Sequence, residues 1–304
     1  MNIVLDVLWM TVKVLALLVW SWIKWLIPAR PKSLEGETVL VTGAGSGIGQ
    51  LMAVRFAQRG CTLILWDVNQ RGNEETVRMI KEAGGKVHSY TVDVSKMATV
   101  NQAAAQVKRD VGEVSILVNN AGIVIGRTLL DLTEEEFTRT MSINTMAHVW
   151  TLKAFLPDMI KRNHGHVVTI ASVMSYLGLP KLSDYCASKA ATKSIHEAVQ
   201  REVLVAGADK VNFSIVNPYL IHTGMFSGVQ IDHDALLQGL MPEYVADRIL
   251  LAVQTNQQVL CMPRSMYLLL GVQAWLPLSA YFVVEKFFNV WKAMDYFTGR
   301  NKTK

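Results

Sequence analysis

Cysteine is scarce in this sequence, whose 304 residues include only three: Cys61, Cys186 and Cys261. Their number is odd and no two form a C-x-x-C pair, so we expect neither a disulfide framework nor a zinc or dithiol site of that type. The histidines also lack the H-x-x-x-H and H-E-x-x-H spacings of metal sites, and we expect no metal. This cysteine usage favours a reduced domain that faces the cytosol.

Dense basic runs are absent as well. The formal net charge is +5, but lysine and arginine are scattered, which argues against the concentrated basic footprint of a nucleic-acid-binding protein. Hydrophobic residues make up 51% of the chain, and its length suits one or two domains. A hydrophobic content this high is unusual for a fully soluble protein, and it predicts apolar segments outside a globular core.

One such segment lies near the amino terminus, from Val7 to Ile23, where Lys13 is the one charged residue. Tryptophans, which favour the bilayer interface, cluster at its end and basic residues follow: Trp20, Trp22, Trp25, Lys24, Arg30 and Lys32. The pattern predicts a retained membrane anchor over residues 1–27, a linker over residues 28–37, and a remaining chain in the cytosol. A buried core helix is the alternative.

A second apolar segment, Ser265 to Val284, carries no charge but contains Gly271 and Pro277. Its length suits a membrane span, whereas its glycine and proline favour a kinked segment that lies against the bilayer. We therefore predict a membrane-associated region over residues 263–304 that ends in a basic tail. Ordinary packing onto the core is the alternative.

Between these segments, short β-branched runs alternate with amphipathic helical patterns, and the longest helix is predicted from Ser183 to Val205. Seven runs are predicted as strands: TVLVT, TLILW, KVHSYTV, VSILVNN, HVVTIAS, VNFSIV and QVLCM. The alternation predicts an α/β fold, in which residues 38–262 form a single Rossmann-like domain with a doubly wound, seven-stranded parallel sheet.

The first predicted strand ends in TGAGSGIGQ, where Gly43, Gly47 and Gly49 open a helix. Backbone without side chains can approach a pyrophosphate, and the amides at a helix amino terminus favour its charge; a plain tight loop is the alternative. The second strand is followed by Asp67, where a carboxylate can accept from ribose hydroxyls and repels a 2′-phosphate. The pattern predicts a dinucleotide site that prefers NAD, although Arg71 lies close by.

The stretch SDYCASKAA places Tyr185 and Lys189 four residues apart in the longest predicted helix. Residues at this spacing share one helix face, so the hydroxyl and the ammonium can form a proton-handling pair. A packing tyrosine beside a solvated lysine is the alternative. A nearby cation favours the phenolate of a phenol whose pKa is ordinarily about 10.

Taken together, TGAGSGIG, NNAG at residues 119–122, Asn144, Ser172 and YCASK resemble the short-chain dehydrogenase/reductase family over about residues 36–262. Within it, the chain is similar to the membrane-bound branch of retinol and 17β-hydroxysteroid dehydrogenases. The resemblance implies that Tyr185 is the general acid/base and that Ser172 holds the substrate oxygen. It also implies that Lys189 lowers the pKa of the tyrosine and binds the nicotinamide ribose, and that Asn144 holds a water.

The resemblance also implies the residues that contact cofactor and substrate. The expected cofactor contacts are Gly43, Ser46, Gly47, Ile48, Gly49, Asp67, Asp93, Val94, Asn120, Ala121, Gly122, Tyr185, Lys189, Pro218 and Thr223. Asp93 either caps the next helix or bonds the adenine, and Thr223 either touches the cofactor or caps a short helix. Besides Ser172 and Tyr185, Met225 and Phe226 are expected at the substrate or simply in the core. Tyr219 follows Pro218 where the family commonly has glycine.

The resulting hypothesis is an NAD-dependent dehydrogenase that oxidises a lipophilic alcohol, all-trans-retinol or a steroid, at the cytosolic face of the endoplasmic reticulum or on lipid droplets. A homodimer or related homo-oligomer is implied by the resemblance. The alternative from another class is a membrane-surface protein whose dinucleotide fold serves partner binding. The sequons at Asn212 and Asn301 are expected to stay unglycosylated if residues 265–284 do not cross the membrane.

Overall fold

The structure is a computed structural model that describes residues 3–26, 30–232 and 238–299, with the backbone alone for residues 21–26. Part of the predicted linker, including Pro28, and the basic tail with its sequon at Asn301 lie outside the described residues. The chain divides into two compact units, Met1–Lys32 and Ser33–Lys304. The predicted linker runs across this division, because Leu34 is buried in the larger unit.

The smaller unit contains one helix, α1 (Ile3–Leu26). At 1.5 Å per residue, its 24 residues reach about 36 Å, which exceeds the hydrocarbon thickness of a bilayer. Its stretch from Ile3 to Trp20 has a mean hydropathy of 2.1, and none of these side chains is buried. The structure thus contradicts the alternative of a buried core helix, and α1 has the length and composition of a membrane span.

The larger unit is built on a seven-stranded parallel sheet with the order β3-β2-β1-β4-β5-β6-β7. The strands are β1 (Thr38–Thr42), β2 (Thr62–Asp67), β3 (Lys86–Thr91), β4 (Ile116–Asn119), β5 (Gly165–Ile170), β6 (Val211–Pro218) and β7 (Val259–Met262). All seven predicted strands are present, and the doubly wound fold is confirmed. The order reverses between β1 and β4, which is where ligands bind in sheets of this type.

Helices cover both faces of the sheet. They are α2 (Gly47–Ala57), α3 (Gln70–Glu82), α4 (Met97–Asp110), α5 (Glu134–Met141), α6 (Ala147–Arg162), α7 (Ser183–Val205), α8 (Pro242–Gln254), α9 (Ser265–Gln273) and α10 (Leu278–Phe287). One apolar core packs α2 and α8 onto β1, with Phe56 and Ile249 fully buried. The opposite core packs α4, α6 and α7 around Trp66 and Leu117. Side chains that alternate along each strand therefore enter different cores.

Strand β4 ends earlier than the predicted run because the chain turns at Asn120. The amide of this residue's side chain donates to the carbonyl oxygens of Thr42 (2.9 Å) and Gly43 (3.2 Å). Strand β6 is longer than predicted, since Asn217 and Pro218 still pair with β7. These local differences shape the carboxyl edge of the sheet.

The second apolar segment forms two short helices, α9 and α10, separated at residues 274–277. Pro277 directly precedes α10, so the predicted interruption occurs there, whereas Gly271 lies inside α9. Neither helix is long enough to cross a bilayer. The segment turns one side inward and leaves large apolar side chains exposed on the other: Leu268, Trp275, Leu278, Val283 and Phe287.

Candidate active site

A cavity of about 350 Å³ opens at the carboxyl ends of the central strands. It is lined by every residue predicted to contact cofactor or substrate: Gly43, Ser46, Gly47, Ile48, Gly49, Asp67, Asp93, Val94, Asn120, Ala121, Gly122, Ser172, Tyr185, Lys189, Pro218, Thr223, Met225 and Phe226. Of the predicted catalytic residues, Asn144 alone is not in the lining. The fold thus brings residues from widely separated stretches of the chain to one site.

The glycine-rich turn between β1 and α2 is shaped by close backbone approach. Gly43 has a φ of +66°, and a side chain there would come within 2.9 Å of the Ala121 Cα. A side chain at Gly49 would collide with the carbonyl oxygen of Gly43. Gly47 has a φ of +59°, a conformation that favours glycine, and the nearest atom to a Cβ there would be the Thr223 methyl carbon at 3.8 Å, an ordinary van der Waals distance. The turn therefore leaves a cradle beside the amino terminus of α2, which fits a pyrophosphate.

Asp67 lies at the end of β2, and both of its carboxylate oxygens accept backbone hydrogen bonds. The amide of Gly45 donates to Oδ2 at 2.8 Å, and the amide of Asn69 donates to Oδ1 at 2.8 Å. These bonds fix the carboxylate at the cavity wall. Arg71 is exposed in the first turn of α3 and is not among the lining residues.

Asp93 caps a turn and not the following helix. Its Oδ1 accepts from the amide (3.1 Å) and hydroxyl (2.6 Å) of Ser95, whereas Lys96 occupies the N-cap position of α4. Thr223 precedes a short 3₁₀ turn at Gly224–Phe226, but its side chain makes no capping hydrogen bond. The capping alternatives for these two residues are therefore not supported, and both line the cavity.

Tyr185 lies in the first turn of α7 and is only 4% exposed. Its ring meets the ring of Phe226 edge to face, with the centroids 5.8 Å apart. Burial raises the pKa of the Tyr185 phenol above its ordinary value, and a hydrogen bond with Ser172 lowers it only in part. Desolvation of the phenolate is therefore the largest influence on this pKa, and the expected lowering by Lys189 stays a prediction.

Lys189 lies one helical turn after Tyr185 on the same face of α7. Its ammonium donates to the carbonyl oxygen of Ile170 at 2.9 Å and lies 5.8 Å from the centre of the Tyr185 ring. Burial lowers the pKa of Lys189 from 10.5 to about 8. A buried lysine whose pKa is near neutrality can release a proton more readily than a surface lysine.

Asn144 lies behind the cavity wall, inside a π-helical turn from Ser142 to Met146. Its Oδ1 accepts from the amide of Ile123 at 2.8 Å. Its Nδ2 donates to the Ile123 carbonyl oxygen and to the Ser188 hydroxyl, both at 3.0 Å. Both side-chain amide hydrogens are therefore used within the protein. Such π-turns are frequent at functional sites, and the sequence pattern did not reveal this one.

The carboxyl-terminal segment forms much of the apolar wall, which the sequence analysis missed. Met266, Leu269 and Leu270 of α9, and Val284 of α10, line the cavity. Beyond α10, the amide of Gln230 donates to the Ala293 carbonyl oxygen at 3.0 Å. The charge-free composition of residues 265–284 indicated an apolar environment, but it could not distinguish a membrane from a cavity.

Two polar groups of this wall were also missed. Glu285 on α10 is 8% exposed, and its Oε2 accepts from the indole nitrogen of Trp291 at 2.7 Å. The hydroxyl of Tyr219 is buried and has no hydrogen-bond partner among the described residues. Burial raises the pKa of Tyr219 to about 12. Both residues therefore add polar groups to the wall of a largely apolar cavity.

The sequence matches the short chain dehydrogenase family over residues 37–234. Human retinol dehydrogenase 10 is 39% identical, with 99% of this chain and 96% of that protein covered. Such a match over nearly the whole length extends the likeness to the amino-terminal and carboxyl-terminal segments.

Solved structures of other dehydrogenases have the same fold as this chain. A short chain dehydrogenase/reductase from Burkholderia phymatum, in complex with NAD, is 25% identical with a TM-score of 0.72, covering 85% of this chain and 97% of that one. An alcohol dehydrogenase from the archaeon Thermococcus sibiricus, complexed with 5-hydroxy-NADP, is 26% identical with a TM-score of 0.67, covering 75% and 96%. The chain belongs to the short-chain dehydrogenase/reductase family, as its motifs predicted, and is an oxidoreductase.

Proposed function

We propose that this protein oxidises a lipophilic alcohol, all-trans-retinol to all-trans-retinal, with NAD as the hydride acceptor. The observation that carries the proposal is the placement of Tyr185, Ser172 and Lys189 in the wall of one largely apolar cavity. Human retinol dehydrogenase 10, at 39% identity, supports the choice of a retinoid.

The cradle at Gly43, Gly47 and Gly49 would hold the pyrophosphate of NAD, because Gly47 lines the cavity in a conformation that favours glycine and a side chain at Gly43 or Gly49 would meet backbone. Asp67 would accept from the adenosine ribose hydroxyls and repel a 2′-phosphate, which is why NAD is proposed over NADP. Thr223 lies across from Gly47 and would contact the nicotinamide end.

The bound cofactor supplies the carbon that accepts a hydride. Ser172 would hold the alcohol oxygen, and Tyr185 in its phenolate form would take the hydroxyl proton. Burial opposes that phenolate, so the cationic charge of Lys189 is needed on the same helix face. The surrounding apolar wall excludes water from the reacting groups.

A location at a membrane surface would suit a substrate that partitions into lipid, and two observations support that location. Helix α1 has the length of a span, and large apolar side chains are exposed on α9 (Leu268), in the turn that follows it (Trp275) and on α10 (Phe287). We propose that α1 anchors the protein in the endoplasmic reticulum membrane, with the catalytic unit in the cytosol and with α9 and α10 against the bilayer or a lipid droplet.

A steroid is the second candidate substrate, and Glu285 is the observation that favours it. This carboxylate lies in the cavity wall and would accept from a second hydroxyl. A steroid diol has such a hydroxyl, whereas retinol has only the one that reacts. The two candidates therefore make different predictions for Glu285→Gln, which should weaken turnover of the diol alone.

The deciding experiment compares turnover of retinol, oestradiol and a long-chain alcohol by washed microsomes that contain the protein. Retinol oxidation with NAD, lost in Tyr185→Phe, is the expected result. Preferred turnover of oestradiol would support the steroid candidate. A cellular phenotype that survives Tyr185→Phe would instead support a binding role without catalysis.

A further inference from the structure

Residues 293–299, which we call the carboxyl-terminal strap, are fastened to the rest of the catalytic unit at two neighbouring positions. The amide of Gln230 donates to the Ala293 carbonyl oxygen at 3.0 Å. Two residues later, Asp295 forms an ion pair with the ammonium of Lys181 at 2.6 Å. The two contacts come from different loops, because Gln230 comes after β6 and Lys181 precedes α7. The residue between the two contacts is therefore held on both sides.

Met294 is the residue between these contacts, and its side chain belongs to the apolar cluster that contains Tyr185. The buried members of this cluster are Leu182, Tyr185, Cys186 and Met294, and both Tyr185 and Met294 are only 4% exposed. Met294 also lines the cavity. Its side chain therefore contributes to the cavity wall within the cluster that surrounds the tyrosine.

The loop that follows β4 connects the surroundings of Met294 with those of Lys189. A Cβ atom at Gly122 would lie 3.6 Å from the Lys189 ammonium nitrogen, and a Cβ atom at Gly126 would lie 3.3 Å from the Met294 methyl carbon. Val124, midway along this loop, packs against the cluster that contains Met294. Met294 is therefore at the reacting end of the cavity and not on the wall that α9 forms.

Little surface of Tyr185 is open to a substrate at this end of the cavity. Only 4% of the residue is exposed, and the ring of Phe226 meets its ring edge to face with the centroids 5.8 Å apart. A primary alcohol brings one carbon substituent on its carbinol carbon to the tyrosine, whereas a secondary alcohol brings two. A well-packed wall admits an additional methyl group only when side chains shift. One methylene in an apolar pocket therefore changes the discrimination between substrates by about 10- to 200-fold.

We propose that Met294 is a specificity-determining residue that favours primary over secondary alcohols, because its side chain fills the space that the second carbon substituent would need. This inference rests on the proposed dehydrogenase function and separates its two candidate substrates, since retinol is a primary alcohol and the ring hydroxyl of a steroid is secondary. The contacts at Ala293 and Asp295 fix the backbone on either side of Met294. The carboxyl-terminal strap therefore keeps this side chain in place when a substrate enters.

The test uses the full chain and compares a primary long-chain alcohol with its isomer that carries the hydroxyl on the second carbon. Met294→Ala removes the side chain that fills the space, whereas Met294→Leu keeps most of its volume. Met266→Ala is the matched control. Met266 is a methionine of α9 that is 3% exposed and also lines the cavity, but it belongs to a different apolar cluster, with Val173 and Cys261.

We expect Met294→Ala to raise kcat/KM for the secondary alcohol relative to the primary alcohol about tenfold or more, because the methyl branch enters the vacated space. Met294→Leu should keep the wild-type ratio, and Met266→Ala should affect both alcohols alike and so keep it too. A second readout needs no turnover. The dissociation constants of the two alcohols from the NADH-bound protein, which cannot accept a hydride, should show the same relative shift when they are measured by NADH fluorescence.

A folded Met294→Ala protein with the wild-type ratio, an equal shift in Met266→Ala, or a wild type that prefers the secondary alcohol would overturn the inference. If Met294→Ala does not fold, Met294→Val removes less volume and should give a smaller shift in the same direction. Should the unaltered protein oxidise neither alcohol while the binding constants shift as expected, the proposed function fails and the role of Met294 stands. Oxidation of retinol with a ratio that does not respond to Met294→Ala has the opposite meaning.

Discussion

The ammonium of Lys189 lies 5.8 Å from the centre of the Tyr185 ring and bonds the carbonyl oxygen of Ile170 instead of a carboxylate. No described acidic side chain forms an ion pair with it. A buried cation without a counterion costs folding free energy, yet its charge is available to a phenolate formed nearby. Lys189 therefore lowers the stability of the fold and places a positive charge near the hydroxyl that is expected to carry the proton.

Replacing Tyr185 with phenylalanine should lower kcat by about 10²- to 10⁴-fold, because the proton carrier is lost while the ring stays packed on Phe226. NADH binding, measured by fluorescence titration, should be largely kept. Phe226→Leu is the matched control, since it alters the same aromatic contact but leaves the hydroxyl. Retained turnover in Tyr185→Phe would contradict the assigned proton transfer.

Replacing Lys189 with methionine should abolish activity but stabilise the cofactor-free protein. The lowering of the Lys189 pKa from 10.5 to about 8 means that burying the charged lysine destabilises the fold by about 3 kcal/mol. The substitution removes this cost but also removes the hydrogen bond to Ile170, which contributes about 1 kcal/mol. The folded pKa is the lower one, so the penalty is complete below pH 8 and vanishes as the pH rises to about 10.5. Urea denaturation in detergent should therefore show a higher free energy of unfolding for Lys189→Met than for the unaltered protein at pH 7.5, and no such difference at pH 10.

Acidification should destabilise the protein between about pH 6.5 and pH 4 because of His196. Burial lowers the pKa of this histidine from 6.5 to about 4, so the unfolded chain binds the extra proton first. The loss should approach about 3 kcal/mol at the lower pH. In His196→Gln, which keeps a group to bond Thr169, the loss of unfolding free energy with acid should be smaller. An unchanged pH dependence in that variant would refute the assignment.

Replacing Asp67 with serine should raise the efficiency of NADP relative to NAD, since the carboxylate that repels a 2′-phosphate is gone. The ratio of kcat/KM values for the two cofactors is the measurement. Arg71→Ala is the control, and because Arg71 is exposed and outside the cavity lining, it should change that ratio little. Equal use of both cofactors by the unaltered protein would contradict the proposal of NAD.

Removing exposed apolar side chains from α10 and from the turn between α9 and α10 should weaken membrane binding of residues 33–304, the compact unit that lacks α1. Trp275 is 90% exposed and Leu278 is 67% exposed, and their replacement by serine should move this unit from the pellet to the supernatant in vesicle sedimentation. Leu130→Ser, at a 96% exposed leucine elsewhere, is the control. Equal release by the control would exclude a specific docking face.

Local patterns along the chain were sufficient to predict the fold, and the family resemblance that they carry predicted the cofactor side of the cavity. Local backbone geometry determines the periodicity of the strands, the glycine turn and the spacing of Tyr185 and Lys189. Such features can be recognised from the spacing of residues along the sequence. Asp67 followed from the same logic, since a residue that ends a parallel strand must face the carboxyl edge of the sheet. These features are independent of any contact between distant segments.

The surroundings of those residues, by contrast, depend on how distant segments pack together. Residues 265–284 are apolar for two reasons at once, because one side lines the cavity and the other is exposed, and composition cannot separate the two. The raised pKa of Tyr185 and the unpaired nitrogens of His148 among the described residues arise from desolvation by segments far away in sequence. Burial is a property of the packed chain, so the electrostatics of this site could not be obtained from motif spacing alone.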